Sequence, residues 1–210
     1  NGWVRSRQGH GIDPNTITYK TGDFPFFVAE SRTIHPLVII DTKGRAYSLR
    51  VADLPGGRGD GTPITTLIEL QDGAKLAQVI TDVPESKYLF AGSGGYGFVA
   101  ALSDVISRQK AGKSFMSLDD GETPIKPAKV IGGTLNAITA AGRLLLFPLA
   151  EIPEMSKGRG NKIIELDKKD ALAAVHVNYG NTLTVIGTGR GGKETQAHID
   201  GKALDPYRGK

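Results

Sequence analysis

The chain has 210 residues, a formal net charge of +4 and no cysteine, and its 28 glycines stand beside 11 prolines. That length gives room for one good-sized core or two small ones, and the mild basic balance permits an acidic partner without requiring one. The missing thiols exclude a disulfide framework, thiolate metal sites and cysteine nucleophiles, and fit a reducing compartment; no apolar run approaches the ~18 residues of a membrane helix.

In chain order, "NGWVRS" (1–6) reads like the middle of a hairpin, which suggests a piece of a longer protein. No signal peptide is visible there. Four segments then share one plan, a short apolar run, a turn ending in Gly and a second run: "LVIIDTKGRAYSL" (37–49), "YLFAGSGGYGFVA" (88–100), "LNAITAAGRLLLF" (135–147) and "LTVIGTGRGGKET" (183–195). Their matching glycines are Gly44, Gly95, Gly142 and Gly189, spaced by 51, 47 and 47 residues, and Gly2 extends the series backwards by 42. After three of these hairpins comes a return run, "TTLIEL", "SFMSL" or "NKIIEL", ending at Leu70, Leu118 and Leu166. A polar turn follows each ("QDGAK", "DDGET", "DKKDA"), then a further run such as "LAQVIT" or "LAAVHV".

Short runs rich in β-branched residues and bounded by Gly and Asp favour strands. "AALSDVISRQ" (100–109) has the pattern of a helix, but its counterparts contain Pro55 and Pro153, which argues against one there. About four strands per repeat is the arithmetic of a propeller blade, and such a sheet buries both faces only by stacking on its neighbours. The expectation is an all-β disc of about five four-stranded blades, forming one domain over 1–210, with repeats centred near Gly2, Gly44, Gly95, Gly142 and Gly189.

Between hairpin and return run lies a loop at once basic and glycine-rich: "GGRGDG" (56–61), "SRQKAGK" (107–113), "SKGRGNKI" (156–163), and "PYRGK" (206–210) at the end. Other motifs lead nowhere. "GTGRGGKE" (187–194) nearly matches a phosphate-binding loop, but Glu194 replaces the Ser or Thr that would hold magnesium, and no long helix follows. "GSGGYG" (92–97) falls on the hairpin turn that Gly44 and Gly142 occupy without any such fingerprint. His10, His35, His176 and His198 show no ligand spacing, and His176 in "AAVHV" reads as a packed strand residue. "DDGE" (119–122) lacks the alternation of a calcium loop, and no nucleophile motif is present.

The ordered set "NGWVRS…GHGID", "YKTGD", "GYGFV…ALSDVISRQKAGK", "ITAAGRLLLFPLAEIPEMSKGRGNKII" and "YRGK" resembles the C-terminal domain of the ParC subunit of bacterial topoisomerase IV, paralogous to that of the gyrase A subunit. The resemblance runs over essentially the whole chain and is densest from Gly94 to Ile164. It implies a β-pinwheel whose basic rim binds and bends duplex DNA and presents it to a catalytic core for relaxation and decatenation. It also implies that this region is non-catalytic, with no cofactor of its own, ATP and magnesium being used elsewhere in the enzyme. The implied partners are duplex DNA of any sequence, the rest of the topoisomerase IV A subunit, the ATPase subunit, and, in some bacteria, an SMC-like condensin. Their setting is the cytoplasm and the nucleoid, without a membrane. The gyrase signature Q-R-R-G-G-K-G is replaced by "RSRQGHG" (5–11), which departs from DNA-wrapping gyrases. The alternatives are a protein-docking propeller and a gyrase-type wrapping domain.

DNA carries one charge per ~1.7 Å of axis, so one cationic loop per blade would supply charge at intervals, with glycine letting the backbone approach phosphate. The DNA-binding candidates are Arg5 and Arg7, then Lys43, Arg45 and Arg58, then Arg108, Lys110 and Lys113. Arg143, Lys157, Arg159 and Lys162 follow in the fourth repeat, and Arg190, Lys193 and Arg208 in the last. The loops 108–113 and 157–162 are the foremost of these.

Overall fold

The computed structural model describes residues 2–57 and 59–209, Arg190 by its backbone alone. Fifteen strands are found among them: β1 (Trp3–Val4), β2 (Pro36–Asp41), β3 (Arg45–Arg50), β4 (Thr62–Pro63), β5 (Leu76–Thr81), β6 (Lys87–Ala91), β7 (Tyr96–Ala101), β8 (Lys113–Ser114), β9 (Ala128–Lys129), β10 (Thr134–Thr139), β11 (Leu144–Pro148), β12 (Asn161–Lys162), β13 (Leu172–Asn178), β14 (Thr182–Thr188) and β15 (Glu194–Asp200). They form five sheets in chain order: β1–β4, β5–β2–β3–β8, β9–β6–β7–β12, β13–β10–β11 and β14–β15. All named pairings are antiparallel. The four-strand pattern is complete in the second and third sheets, and in the fourth a parallel bridge from Arg208 to Leu146 takes the fourth place.

Each hairpin turns through a left-handed glycine, Gly44 at φ +81°, Gly95 at +86° and Gly142 at +85°, a conformation that costs other residues ~1–2 kcal/mol. In the last hairpin Gly191 and Gly192 take that role, and Gly189 is extended. The helix-like stretch after β7 is a single turn, α1 (Leu102–Val105), and its counterparts Val51–Asp53 and Leu149–Glu151 are single 3₁₀ turns.

The first strand of each central hairpin is apolar throughout because alternate residues face different seams. Val38 and Ile40 pack with Phe90, Phe98 and Ala100 of the third sheet, while Ile39 packs with Tyr47, Ile64 and Ile68 on the opposite side. Phe90 likewise faces back, and Leu89 and Ala91 face forward to Leu135 and Ala137 of the fourth sheet. Leu146, Leu183 and Leu204 fill the next seam. A period of two with both faces covered is what a stacked sheet dictates.

The sheets are also interlocked. The return run of each repeat leaves its own hairpin and adds an edge strand to the previous sheet: β4 on β1, β8 on β3, β12 on β7. The crossing has a three-part local code. A left-handed glycine enters it (Gly61, Gly112, Gly160), two residues pair, and an apolar anchor follows (Ile64, Phe115, Ile163), buried in the seam. Phe115 stands edge-on to Phe90 with ring centroids 4.8 Å apart and is 5.3 Å from Phe98. Removing such a side chain costs ~3–5 kcal/mol.

The glycines in the basic loops therefore have a structural cause. A Cβ on Gly61, Gly112 or Gly160 would overlap the carbonyl oxygen of Val4, Ala46 or Gly97 on the strand being joined. The expectation that glycine serves approach to phosphate is corrected at these three positions: what approaches is the neighbouring strand. His176 is corrected too, because it is exposed on β13, whose buried residues are Leu172 and Val177.

Candidate nucleic-acid interface

At each seam three segments converge: the hairpin turn of one repeat, the polar turn of the same repeat, and the basic loop arriving from the next. Thr42 N–H donates to Lys75 O (2.8 Å), Ser93 N–H to Thr123 O (2.9 Å), and Ala140 N–H to Ala171 O (2.8 Å). The arriving loop is pinned on both flanks. In the fourth repeat Met155 N–H donates to Val99 O (2.8 Å), Gly158 N–H to Phe115 O (2.8 Å) and Ile163 N–H to Gly95 O (2.7 Å). In the third, Ser48 Oγ donates to Ser107 O (2.7 Å) and accepts from Ser107 N–H (2.8 Å). Side chains on these loops are thus presented from a fixed backbone.

The fifteen cations divide by what they touch. Arg5 donates to Gly59 O (2.7 Å) and Thr18 O and lies 5.9 Å from the Tyr19 ring, tying the first loops together. Lys43 donates to Asp72 O (2.6 Å), Arg45 to Ala111 O and Gly112 O (3.0 Å), and Lys113 to Asp104 O (2.6 Å). Arg143 pairs with Asp167 (3.4 Å) and Lys162 with Glu165 (2.9 Å), a contact that raises the lysine pKa and lowers that of the glutamate. Arg208 donates to Gly180 O (2.9 Å) and pairs with Asp205 (3.3 Å).

Arg159 is the most heavily engaged. Its guanidinium pairs with Asp119 and with Glu122 (2.9 Å) and lies 4.2 Å from the Tyr96 ring. The hydrogen bond with Asp119 raises the pKa of Arg159 and lowers that of Asp119. Five candidates are exposed and make no ion pair among the described residues: Arg7, Arg108, Lys110, Lys157 and Lys193. Arg7 shares with Arg5 the lining of a polar cleft of about 300 Å³ beside Thr16–Thr18 and Gly57. Arg58 lies outside the described residues, as does the side chain of Arg190.

Sequence reasoning passed over other exposed, unpaired cations. Lys168 and Lys169 sit on the polar turn that packs under the hairpin turn carrying Arg143, and Lys75 holds the equivalent turn two repeats earlier. "DKKDA" reads as a turn, and only its docking against the hairpin places it beside the basic loops. "GTGRGGKE" is the turn joining β14 to β15, with a strand and no helix behind it. No helix among the described residues is long and apolar enough to cross a membrane.

A disc of strand-exchanged sheets with cations at successive seams defines a β-pinwheel. A family model described as "DNA gyrase C-terminal domain, beta-propeller" matches residues 86–123 and 137–178. The A subunit of DNA topoisomerase 4 from Neisseria gonorrhoeae is 38% identical over 220 residues, covering 100% of this chain and 28% of that protein. Its counterpart in Haemophilus influenzae is 40% identical over 172 residues, 81% of this chain and 23% of that one. The solved E. coli ParC C-terminal domain matches with a TM-score of 0.88 at 33% identity, over 100% of this chain and 86% of that chain. A gyrase A C-terminal domain matches with a TM-score of 0.65 at 15% identity, over 85% of this chain and 58% of that one, a likeness of fold alone. The chain belongs to the family of C-terminal domains of the topoisomerase IV A subunit (ParC), and spans about a quarter of the length of the curated relatives it matches.

Proposed function

We propose that this chain is a non-catalytic arm of topoisomerase IV that binds duplex DNA across its blade seams, bends it, and presents it to the catalytic core for relaxation and decatenation. The observation that carries this reading is the row of unpaired, exposed cations on rigid seam loops: Arg7, Arg108 and Lys110, Lys157, then Lys193. They arrive once per repeat because the exchanged segment arrives once per repeat. Rigid cations lose little conformational entropy on meeting phosphate, and contacts on several blades offset the ~1–6 kcal/mol of bending a short duplex. Nothing in the fold offers a recognition helix, so binding follows the backbone and is blind to base sequence. The rest of ParC, the ATPase subunit, and an SMC-like condensin are the partners that accompany this role, with the nucleoid as its place.

The test is a salt series with an arbitrary 40-mer duplex labelled at both ends for energy transfer. Five neutralised phosphates give a log K against log salt slope of about −4.5, with the duplex ends drawing together on binding. A slope near zero, or binding with unchanged end-to-end transfer, would discard the DNA-bending role and leave protein docking as the reading to pursue.

A further inference from the structure

The first sheet lacks its central strand. In the second, third and fourth sheets the strand entering the hairpin lies between its hairpin partner and the strand that follows the polar turn: β2 between β3 and β5, β6 between β7 and β9, β10 between β11 and β13. In the first sheet Gly2 takes the left-handed turn position, β1 is the outgoing strand, and β4 is the exchanged edge strand. Ser6 N–H donates to Pro55 O (2.8 Å) as Val99 N–H does to Pro153 O (2.9 Å) in the third sheet. The third member is present in sequence as "FPFFVAES" (24–31), fifty residues before its counterpart "LAQVIT" (76–81). It forms no strand, and Phe24 (78% exposed), Phe26 (60%), Phe27 and Val28 stand in solvent. Its end is nonetheless in place, because Ser31 Oγ meets Thr81 Oγ1 on β5 at 2.5 Å.

Between the two unpaired edges the structure is open. A cavity of about 850 Å³ is walled by Ser6–Gly9 on one side and by Ser31 and Thr33 on the other, over a floor that includes Val51, Ala52 and Leu54. The register of the complete sheets puts the start of the missing strand there, since Leu37 pairs with both Leu49 and Thr81, whose counterparts are Arg7 and Ser31. A row of unpaired backbone groups beside exposed aromatic residues accepts one ligand well, an extended apolar strand.

We infer that this slot is a strand-acceptor site filled by the ParC chain itself, with the residues directly upstream of Asn1 running antiparallel to β1 and completing the first sheet. β2 runs from eight to three residues before Gly44, so the incoming strand holds the second to seventh residues upstream of Asn1. Two observations select this occupant over a foreign strand. The turn at Gly2 is already wound as in the complete hairpins, and both the curated relatives and the solved ParC domain have chain beyond the part matched. Pairing draws 24–31 into the ladder and covers Trp3, the only tryptophan, which is 47% exposed.

The test uses the full-length ParC protein. Hydrogen exchange over 26–31 is expected to be as slow as over 76–81, and a proline at the fourth upstream residue, the counterpart of Ile39, should speed it at least about tenfold while 37–41 stays protected. An Ala29→Cys substitution paired with a cysteine at that fourth residue should cross-link on oxidation, since directly opposed strand residues lie within disulfide reach, whereas a cysteine one residue away should not. Fast exchange over 26–31 in the full-length protein, or no cross-link at the stated register, overturns the proposal. Protection that survives the proline means another strand or the catalytic core fills the slot, which overturns the assigned occupant.

Discussion

The seam between the second and third sheets and the seam between the third and fourth are built alike, yet their charges are used differently. Each is crossed by a loop ending in a left-handed glycine, Gly112 in one and Gly160 in the other, and closed by a buried anchor, Phe115 or Ile163. At the later seam the residue before the glycine is Arg159, locked onto Asp119 and Glu122 of the polar turn it meets. At the earlier seam the same three places hold Ala111, Gln71 and Ala74, and the cations Arg108 and Lys110 stand free. The cation and both carboxylates are present together or absent together. A basic glycine loop is therefore two devices on one short segment: a backbone part that interlocks sheets, and a charged part divided between clamping the seam and facing solvent.

The largest effect tests the backbone part. Gly160→Val should destabilise the domain by roughly 3–5 kcal/mol, because strain at positive φ adds to overlap with Gly97 O. Gly142→Ala, at φ +85° with open space around it, should cost only about 1–2 kcal/mol. Denaturant midpoints of the two variants measure the difference, and equal losses would mean that strand exchange places no special demand on its glycine.

The next effect lies inside the third sheet and depends on pH. Burial opposes ionisation of Asp82, but it is outweighed by Lys129 Nζ (2.6 Å), the Tyr88 hydroxyl (2.7 Å), the Val83 amide (2.8 Å) and the Ser86 hydroxyl, which hold its pKa down at about 2. The folded carboxyl is thus more acidic than the unfolded one. Its contribution is complete above about pH 4 and is lost as the pH falls from there to about 2. Asp82→Asn should cost about 1–2 kcal/mol at pH 7, as for other charge-assisted hydrogen bonds. The gap to the parent protein should close on acidification through that window. A gap constant from pH 7 to pH 2.5 would show that the carboxylate charge is not what matters.

Much of this was legible in the sequence, for reasons that also explain what was not. Hairpins are local, so the apolar runs and the turn glycines Gly44, Gly95 and Gly142 announced themselves at short range. The destination of a return run is not local. "SFMSL" reads as a strand, but its partner Arg45–Ala46 lies more than sixty residues back, and neither run carries a mark of the other. The same distance hid the clamp: Arg159 reads as a free cation until the fold brings Asp119 and Glu122 onto it. His176 misleads because its run looks buried on both faces, whereas β13 is an edge strand whose exposed positions include Ala173, Ala174 and His176. Where pairing is long-range, the sequence names the strand but leaves its neighbour and the state of its charges to the fold.

The smallest effect tests the charged part. Lys157 and Arg159 are two residues apart on one loop, one exposed and unpaired, the other held by two carboxylates and a ring. If unpaired cations meet phosphate, Lys157→Ala should make the log–log salt slope shallower by about 0.9 with thermal stability unchanged. Arg159→Ala should leave that slope nearly as it was and lower the melting temperature instead, because Glu122, half-buried under the loop, loses the charge that faces it. Arg108→Ala and Lys110→Ala at the earlier seam should behave like Lys157→Ala. The division of labour fails if Arg159→Ala removes a full contact from the slope while Lys157→Ala removes none. Phosphate would then be competing successfully with Asp119 and Glu122, and the clamp would be a reserve of charge released on binding.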